Sequence, residues 1–508
     1  MQLLINHSHK LTSRQVYLAL TLYTILVTTL FYILFSNWTY DDPFITYRYA
    51  QNLAHGQGFV YNIGEHILST TTPLFTLLLA GLTPIWSDIH HLSILLGAFG
   101  LALGAVLIWM LASDLGSRYV GWVGLLLYPT FPLVARTLGS EITIYLALCL
   151  VTFVFYFRHR YNLAAICAAL TVLARPDGML VPVIIAIDYF YKLVHDARPF
   201  KSIPWKAILI FIAILLAWIL FALFYFGSPI PVTLAAKQQQ SAITGSESFL
   251  HAFPRLFSQY DASPFLLSPI LAIAGVVFAG LKAPRWMIIF GWTILYFIAY
   301  STLGVTRYFW YYAPLVPGFI IAVGLGLDAC EALWHSIKQR FSASDSNTQP
   351  RRRSSYLHPD VDVRIIASLL LVLLVVLQSA GLWQMRKNPD LRYAIYRAAG
   401  EWLDENTASQ ASVGMLEVGI IGYYAHRQIV DFAGQIQPEV AAQLSLHHTY
   451  DGAALWAVHT YHPDYLVIQT GSLPNLEQQY VSANCQAVAT LQGDDYKYPQ
   501  NLAIYRCQ

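Results

Sequence analysis

The sequence predicts an α-helical polytopic membrane protein of about eleven transmembrane helices, with a small α/β domain after the last of them. Three observations predict it. Charged residues make up 11% of the 508-residue chain and hydrophobic residues 56%, against roughly a quarter charged in soluble proteins. Apolar runs recur at 16–36, 92–112, 119–135, 140–157, 161–174, 179–191, 205–226, 264–281, 286–303, 308–329 and 365–383. The lysines and arginines between those runs collect on alternate loops. Net charge is only +2 and no basic face appears, so nucleic acid is not expected as a partner. The expected partner is the lipid bilayer.

The first run, Val16–Phe35, follows Lys10 and Arg14 and suits an uncleaved first span. The next apolar stretch, "PLFTLLLAGLTPIW" (73–86), is short and interrupted by prolines. Charge decides its place. If it lies in the interface, one side of the membrane receives Lys10, Arg14, Arg118, Arg158, Arg160, Lys192, Arg198, Lys201, Lys206, Lys282, Arg285, Lys338, Arg340, Arg351, Arg352, Arg353 and Arg364. The loops of the other side then carry only Arg48, Arg136, Arg175, Lys237, Arg255 and Arg307. By the positive-inside rule the first side is cytoplasmic, the N-terminus included, and everything after Trp383 is outside, with Arg386 and Lys387 a small exception.

This divides the chain into a membrane domain (1–384), with a first outer loop at 37–91 and a polar, Ser-rich and basic cytoplasmic linker at 331–360, and an extracytoplasmic α/β domain (385–508). In the latter, "YRAAGEWLDENT" and "PEVAAQL" read as helices, and "SVGMLEV", "QIVDFAG" and "DYLVIQT" as short buried strands. Of the five cysteines, Cys149, Cys167 and Cys330 lie in or beside apolar runs. Cys485 and Cys507 fall in the outer domain, where a disulfide and two free thiols both remain open.

The conspicuous polar signatures all fall on the outer side: Asp41 and Asp42, Arg136 with Glu141, Arg175 with Asp177, and Arg307 with Tyr308. Ionisable groups at membrane depth are costly and mark sites. Pro43 suits the first position of a helix and Asp42 its N-cap, which leaves Asp41 without a structural task. A free carboxylate there would serve as general base on a hydroxyl, or the pair would hold a divalent cation such as Mg or Mn. The arginines either snorkel to the interface or clamp a phosphate with their planar forks. Plainer readings stand beside these: a span start for Glu141, an interfacial aromatic belt for the cluster around Tyr308, and a loop position for His55.

"YDDPFITYRYAQNLAHGQGFVYNIGEHILSTTTPLFTLLLAGL" (40–82) resembles the first extracytoplasmic loop of GT-C glycosyltransferases of the mycobacterial terminal arabinofuranosyltransferase type. It is similar, more loosely, to that of the glycosyltransferase family 39-like protein O-mannosyltransferases and of the lipid A aminoarabinose transferases. "LARPDGMLV" (173–181), "TRYFWYYAPLVPG" (306–318) and "EVGIIGYYAHRQIVDFAG" (417–434) resemble later parts of such proteins. The resemblance implies a GT-C fold and transfer of a sugar from a polyprenyl-phosphate donor to a hydroxyl of a glycan, lipid or protein acceptor outside the cytoplasm, with inversion. It implies that Asp41 is the base or sits at a metal with Asp42 as partner. Arg175 and Arg307 would hold the lipid phosphate, with Arg48 a further candidate. The chain departs from the pattern at Glu65 in "EHILSTTTPL". The competing expectations are a transporter or flippase of lipid-linked sugar and a binder without catalysis.

Overall fold

The computed structural model of the chain describes residues 12–197, 199–240, 243, 246–260, 266–344, 359–447 and 449–508. Each of the eleven apolar runs is helical over most of its described residues, and among the described residues seven helices are long and apolar enough to cross a membrane. They make this a membrane protein. Ser13–Phe35 opens with a capping box between Thr12 and Gln15, and Ile89–Leu115 is capped by Asp88 and closed by Gly116 at φ 85°. The 119–135 run is broken at extended Phe131, between Pro129 and Pro132. Tyr161–Ala174 ends at Arg175, held extended before Pro176.

The Ile89–Leu115 helix is largely buried at the centre of the bundle, whereas Trp205–Phe226 presents Leu209, Ile212, Leu216 and Phe224 outward as a lipid-facing surface. Leu267–Lys282 and Val316–Ser344 cross almost backbone to backbone. A Cβ on Gly275 would meet the Ala322 carbonyl at 1.9 Å, and one on Gly326 the Leu271 carbonyl at 2.1 Å. Pro73–Leu82 has ten residues, so it rises about 15 Å, half of a bilayer core. Within the expected 331–360 linker, residues to Ser344 continue the Val316–Ser344 helix and Pro359 begins the next, Pro359–Lys387. Residues 345–358 lie outside the described residues.

After the last span, Arg392–Asn406 leads into a five-stranded sheet. The strands are β1 (Ser412–Met415), β2 (Gln428–Asp431), β3 (Tyr465–Gln469), β4 (Cys485–Leu491) and β5 (Leu502–Cys507), in the order β2-β1-β3-β5-β4. The three expected strands form its parallel part; β5 joins β3 and β4 antiparallel. Cys485 and Cys507, opposite each other in the β4–β5 pair, form a disulfide. One hydrophobic core runs from the first outer loop (Phe44, Tyr47, Tyr49, Phe59) into this unit (Ile395, Tyr396, Met415, Ile420). That continuity joins the two ends of the chain.

Candidate active site

The two adjacent acids are separated by what they face. Pro43–Ala54 starts as expected, with Pro43 in its first turn, but Asp42 makes no side-chain cap bond. Its Oδ2 instead accepts from Lys237 Nζ at 2.9 Å. Asp41, which sequence reasoning left free, accepts from the backbone N–H groups of Gly419 (3.0 Å) and Ile420 (2.8 Å), capping the Ile420–Ala425 helix of the C-terminal unit. The expected roles are therefore exchanged: Asp41 caps a helix, one far away in sequence, and Asp42 points at a cation. Gly419 permits the contact, because a Cβ there would lie 2.1 Å from the Asp41 carbonyl oxygen and 2.5 Å from its Oδ2. Burial raises the Asp41 carboxyl to about 6, opposed by Arg392 and the two N–H bonds and reinforced by Asp42.

Asp42 borders two cavities. The first, about 440 Å³, is lined by Asp42, Glu141, Arg175, Asp177, Lys237 and Tyr300 on its polar side, and by Met179, Leu180, Ile230, Leu234 and Leu303 on its apolar side. Arg175 is buried in a closed set of partners: Glu141 at 2.6 Å, Asp177 at 3.1 Å and the Tyr300 hydroxyl at 3.0 Å, which itself donates to Asp177 at 2.6 Å. Lys237 lies over the rings of Tyr308 (5.0 Å) and Trp310 (5.3 Å). Burial acts to lower its pKa, but Asp42, Tyr311 and Tyr308 more than offset this, so it stays cationic. Thr233, also in the lining, holds a buried hydroxyl with no partner among the described residues.

The second cavity, about 640 Å³, is polar. Asp41, Arg136, Arg307, Arg392, Asp390 and Glu417 line it, and Tyr40, Asp42 and Trp310 form the wall common to both cavities. Tyr40 and Trp310 are stacked, with centroids 5.3 Å apart. Arg392 is bound by Asp390 at 2.6 Å and stands 3.8 Å from Glu417. Burial and the nearby Asp41 push Glu417 up to about 7.

The geometry thus brings together Asp42, Glu141, Arg175 and Asp177 in one cavity, and Asp41, Arg307 and Tyr308 in the other. Arg307 pairs with Glu247 at 3.0 Å, and the Tyr308 hydroxyl donates to Gln240 at 2.9 Å. Arg48 and His55 belong to neither. Arg48 is buried and donates to the carbonyls of Tyr61 (2.9 Å), Gly422 (2.7 Å) and Arg427, pinning the first loop to the C-terminal unit. His55 is exposed at the end of its helix, with Nδ1 2.8 Å from the Gln51 carbonyl oxygen. Glu65 is taken up by Asn62 and Gln428, away from both cavities.

A divalent cation does not fit the acid pair. Both Asp41 oxygens accept N–H bonds, Asp42 is paired with an ammonium, and among the described residues no group of three His, Cys, Asp or Glu side chains is placed to hold a metal. Lys237 is the residue that sequence reasoning passed over. It was visible as the single lysine among the six basic residues of the outer loops.

Residues 384–505 match a family described only as a domain of unknown function (DUF8728). No curated protein matches the sequence. Solved structures do resemble it. ArnT from Cupriavidus metallidurans, bound to undecaprenyl phosphate, is 12% identical with a TM-score of 0.61, over 97% of this chain and 98% of that one. AglB, the oligosaccharyltransferase of Archaeoglobus fulgidus, in complex with an inhibitory peptide and a dolichol-phosphate, is 13% identical with a TM-score of 0.56, over 90% of this chain and 70% of that one. A complex of the Archaeoglobus fulgidus oligosaccharyltransferase with Zn and sulfate is 16% identical with a TM-score of 0.58 over the same shares. At such identities the likeness is one of architecture, and it shows that this chain has the GT-C fold of polytopic membrane glycosyltransferases.

Proposed function

We propose that the protein is a membrane glycosyltransferase that moves a sugar from a polyprenyl-phosphate donor to an acceptor hydroxyl on the extracytoplasmic side. The observation that carries this reading is the position of Asp42 in the wall between an amphiphilic, cation-bearing cavity and a polar one. A polyprenyl phosphate needs an apolar surface beside phosphate donors. The first cavity supplies Leu180, Ile230 and Leu234 beside Lys237, Arg175 and the unpartnered Thr233 hydroxyl. The undecaprenyl phosphate and dolichol-phosphate bound to ArnT and AglB support the same donor class here. The distribution of lysine and arginine supports a cytoplasmic N-terminus and outward-facing cavities.

In this mechanism the acceptor oxygen bonds to the anomeric carbon as the bond from that carbon to the phosphate oxygen breaks. The electron pair leaves with the phosphate, where Lys237 and Arg175 stabilise the charge. The hydroxyl proton passes to Asp42, whose carboxylate is oriented by Lys237. A single displacement inverts the anomeric centre. Asp41 acts indirectly, by holding the C-terminal unit against the site.

The test uses the full chain in nanodiscs with a panel of polyprenyl-phosphate sugars. Asp42→Asn should lower transfer by about a hundredfold or more while donor still binds. Lys237→Met should weaken donor binding about tenfold or more. Donor binding without transfer by the unaltered chain would instead favour a carrier of lipid-linked sugar.

A further inference from the structure

The donor does not account for the second cavity, and six of its lining residues, Glu417 and Gln435 among them, come from the domain of unknown function. Glu417 makes no hydrogen bond among the described residues, and among them its one ion-pair partner is Arg392, at 3.8 Å. That guanidinium is already committed to Asp390 at 2.6 Å. Gln435 carries a side-chain oxygen that is buried and has no partner among the described residues. A buried acceptor without a donor is rare in a folded chain and points to a missing partner. The loop that presents Gln435 is nevertheless firmly built. Asp431 accepts from the backbone N–H groups of Ala433 (2.7 Å) and Ile436 (2.8 Å), and its own N–H donates to Gln437 Oε1 (2.8 Å). Gln435 is thus pre-positioned on a rigid loop, the condition for reading a ligand.

The chemistry of the cavity selects the ligand class. Four carboxylates (Asp41, Asp42, Asp390, Glu417) face three guanidinium groups (Arg136, Arg307, Arg392), so neither sign is in large surplus. Groups of both kinds suit hydroxyls, which donate to carboxylate and amide oxygens and accept from guanidinium. Trp310, stacked on Tyr40, adds an aromatic face at the border with the donor cavity. We propose that this cavity is the acceptor subsite, that it takes the hydroxyl-bearing end of a neutral glycan, and that the C-terminal domain selects this glycan through Glu417 and Gln435. The word acceptor rests on the transferase reading above; the binding of a neutral glycan does not.

The experiment uses the full chain in nanodiscs and two probes. One is undecaprenyl phosphate. The other is a set of methyl glycosides of glucose, mannose, galactose and arabinofuranose, with methyl glucuronide as the charged member, followed by saturation-transfer NMR. At least one neutral glycoside should bind. Glu417→Gln and Gln435→Leu should each weaken it about tenfold, the loss of one buried hydrogen bond, with undecaprenyl phosphate affinity held within about twofold. Lys237→Met should do the reverse. Absence of any glycoside binding, unchanged glycoside affinity in both variants, or preference for the glucuronide overturns the proposal. Glycoside losses without undecaprenyl phosphate binding uphold the subsite and defeat the donor reading instead.

Discussion

Gly419→Ala isolates the contact on which both cavities depend. Gly419 has φ −69°, so no left-handed backbone stands against a side chain. The obstacle is space. The new Cβ would lie 2.1 Å from the Asp41 carbonyl oxygen, about 1.3 Å short of an ordinary contact near 3.4 Å. Backing off by that amount stretches the N–H bonds of Gly419 (3.0 Å) and Ile420 (2.8 Å) past about 3.5 Å, beyond hydrogen-bonding range. Each is a bond to a charged group worth about 1.5–3 kcal/mol, so the docking of the Ile420–Ala425 helix should weaken by about 2–4 kcal/mol after local relaxation. Hydrogen exchange read by mass spectrometry should quicken in 419–425 and in the Pro43–Ala54 helix while the membrane helices keep their protection. Transfer should fall because Glu417 and Gln435 move with the unit. Gly81→Ala, with open space at its Cβ, is the control and should change neither. Wild-type exchange in 419–425 of Gly419→Ala would refute the claim that Asp41 anchors the C-terminal unit.

Two other outcomes follow from the same geometry. Arg48→Gln removes a buried cation from three carbonyls and should destabilise the C-terminal unit by about 2–4 kcal/mol in chemical unfolding, yet leave undecaprenyl phosphate affinity unchanged, since Arg48 lines neither cavity. Asp41 and Glu417 are raised from ordinary values of 3.8 and 4.5 to about 6 and about 7 by burial, tempered by Arg392 and, for Asp41, by its backbone N–H bonds; Asp42 adds to the rise of Asp41, and Asp41 to that of Glu417. The folded state therefore holds protons that the unfolded chain releases. Their stabilisation is complete below about pH 4 and is lost as pH rises through 6 to 7. The unfolding temperature of the C-terminal unit should fall across that window, and Glu417→Gln should flatten the upper part of the fall.

What was legible in the sequence was what short-range physics dictates. Apolar runs read as helices, and the charge bias of their loops marked Pro73–Leu82 as too poorly placed to span. β1, β2 and β3 are largely buried, with apolar residues at their centres, and were readable. β4 is an exposed edge strand, with four of its seven residues open to solvent, and it had no such pattern. Arg175, Asp177 and Glu141 were found together because each interrupts an apolar run, where a charge requires a reason. The exchange of roles between Asp41 and Asp42 was not readable. A capping rule looks three residues ahead, whereas the partner of Asp41 is 378 residues away and that of Asp42 195. Lys237 sits in "LAAKQQQ", a segment without periodicity or motif, and only the folded chain brings it to Asp42. Arg48 failed as a phosphate ligand for the same reason: its acceptors are carbonyls of the far end of the chain.

The common core of the first outer loop and the C-terminal unit has a consequence for biogenesis. During synthesis Asp41 and its loop are made long before Gly419, 378 residues later. At about 5–20 residues per second, the interval is of order 20–80 seconds. For that time Phe44, Tyr47 and Phe59 lack the partners that bury them in the finished protein, while the intervening spans are being inserted. Until the C-terminal unit is made, the second cavity lacks the part of its lining that Asp390, Arg392, Glu417 and Gln435 supply.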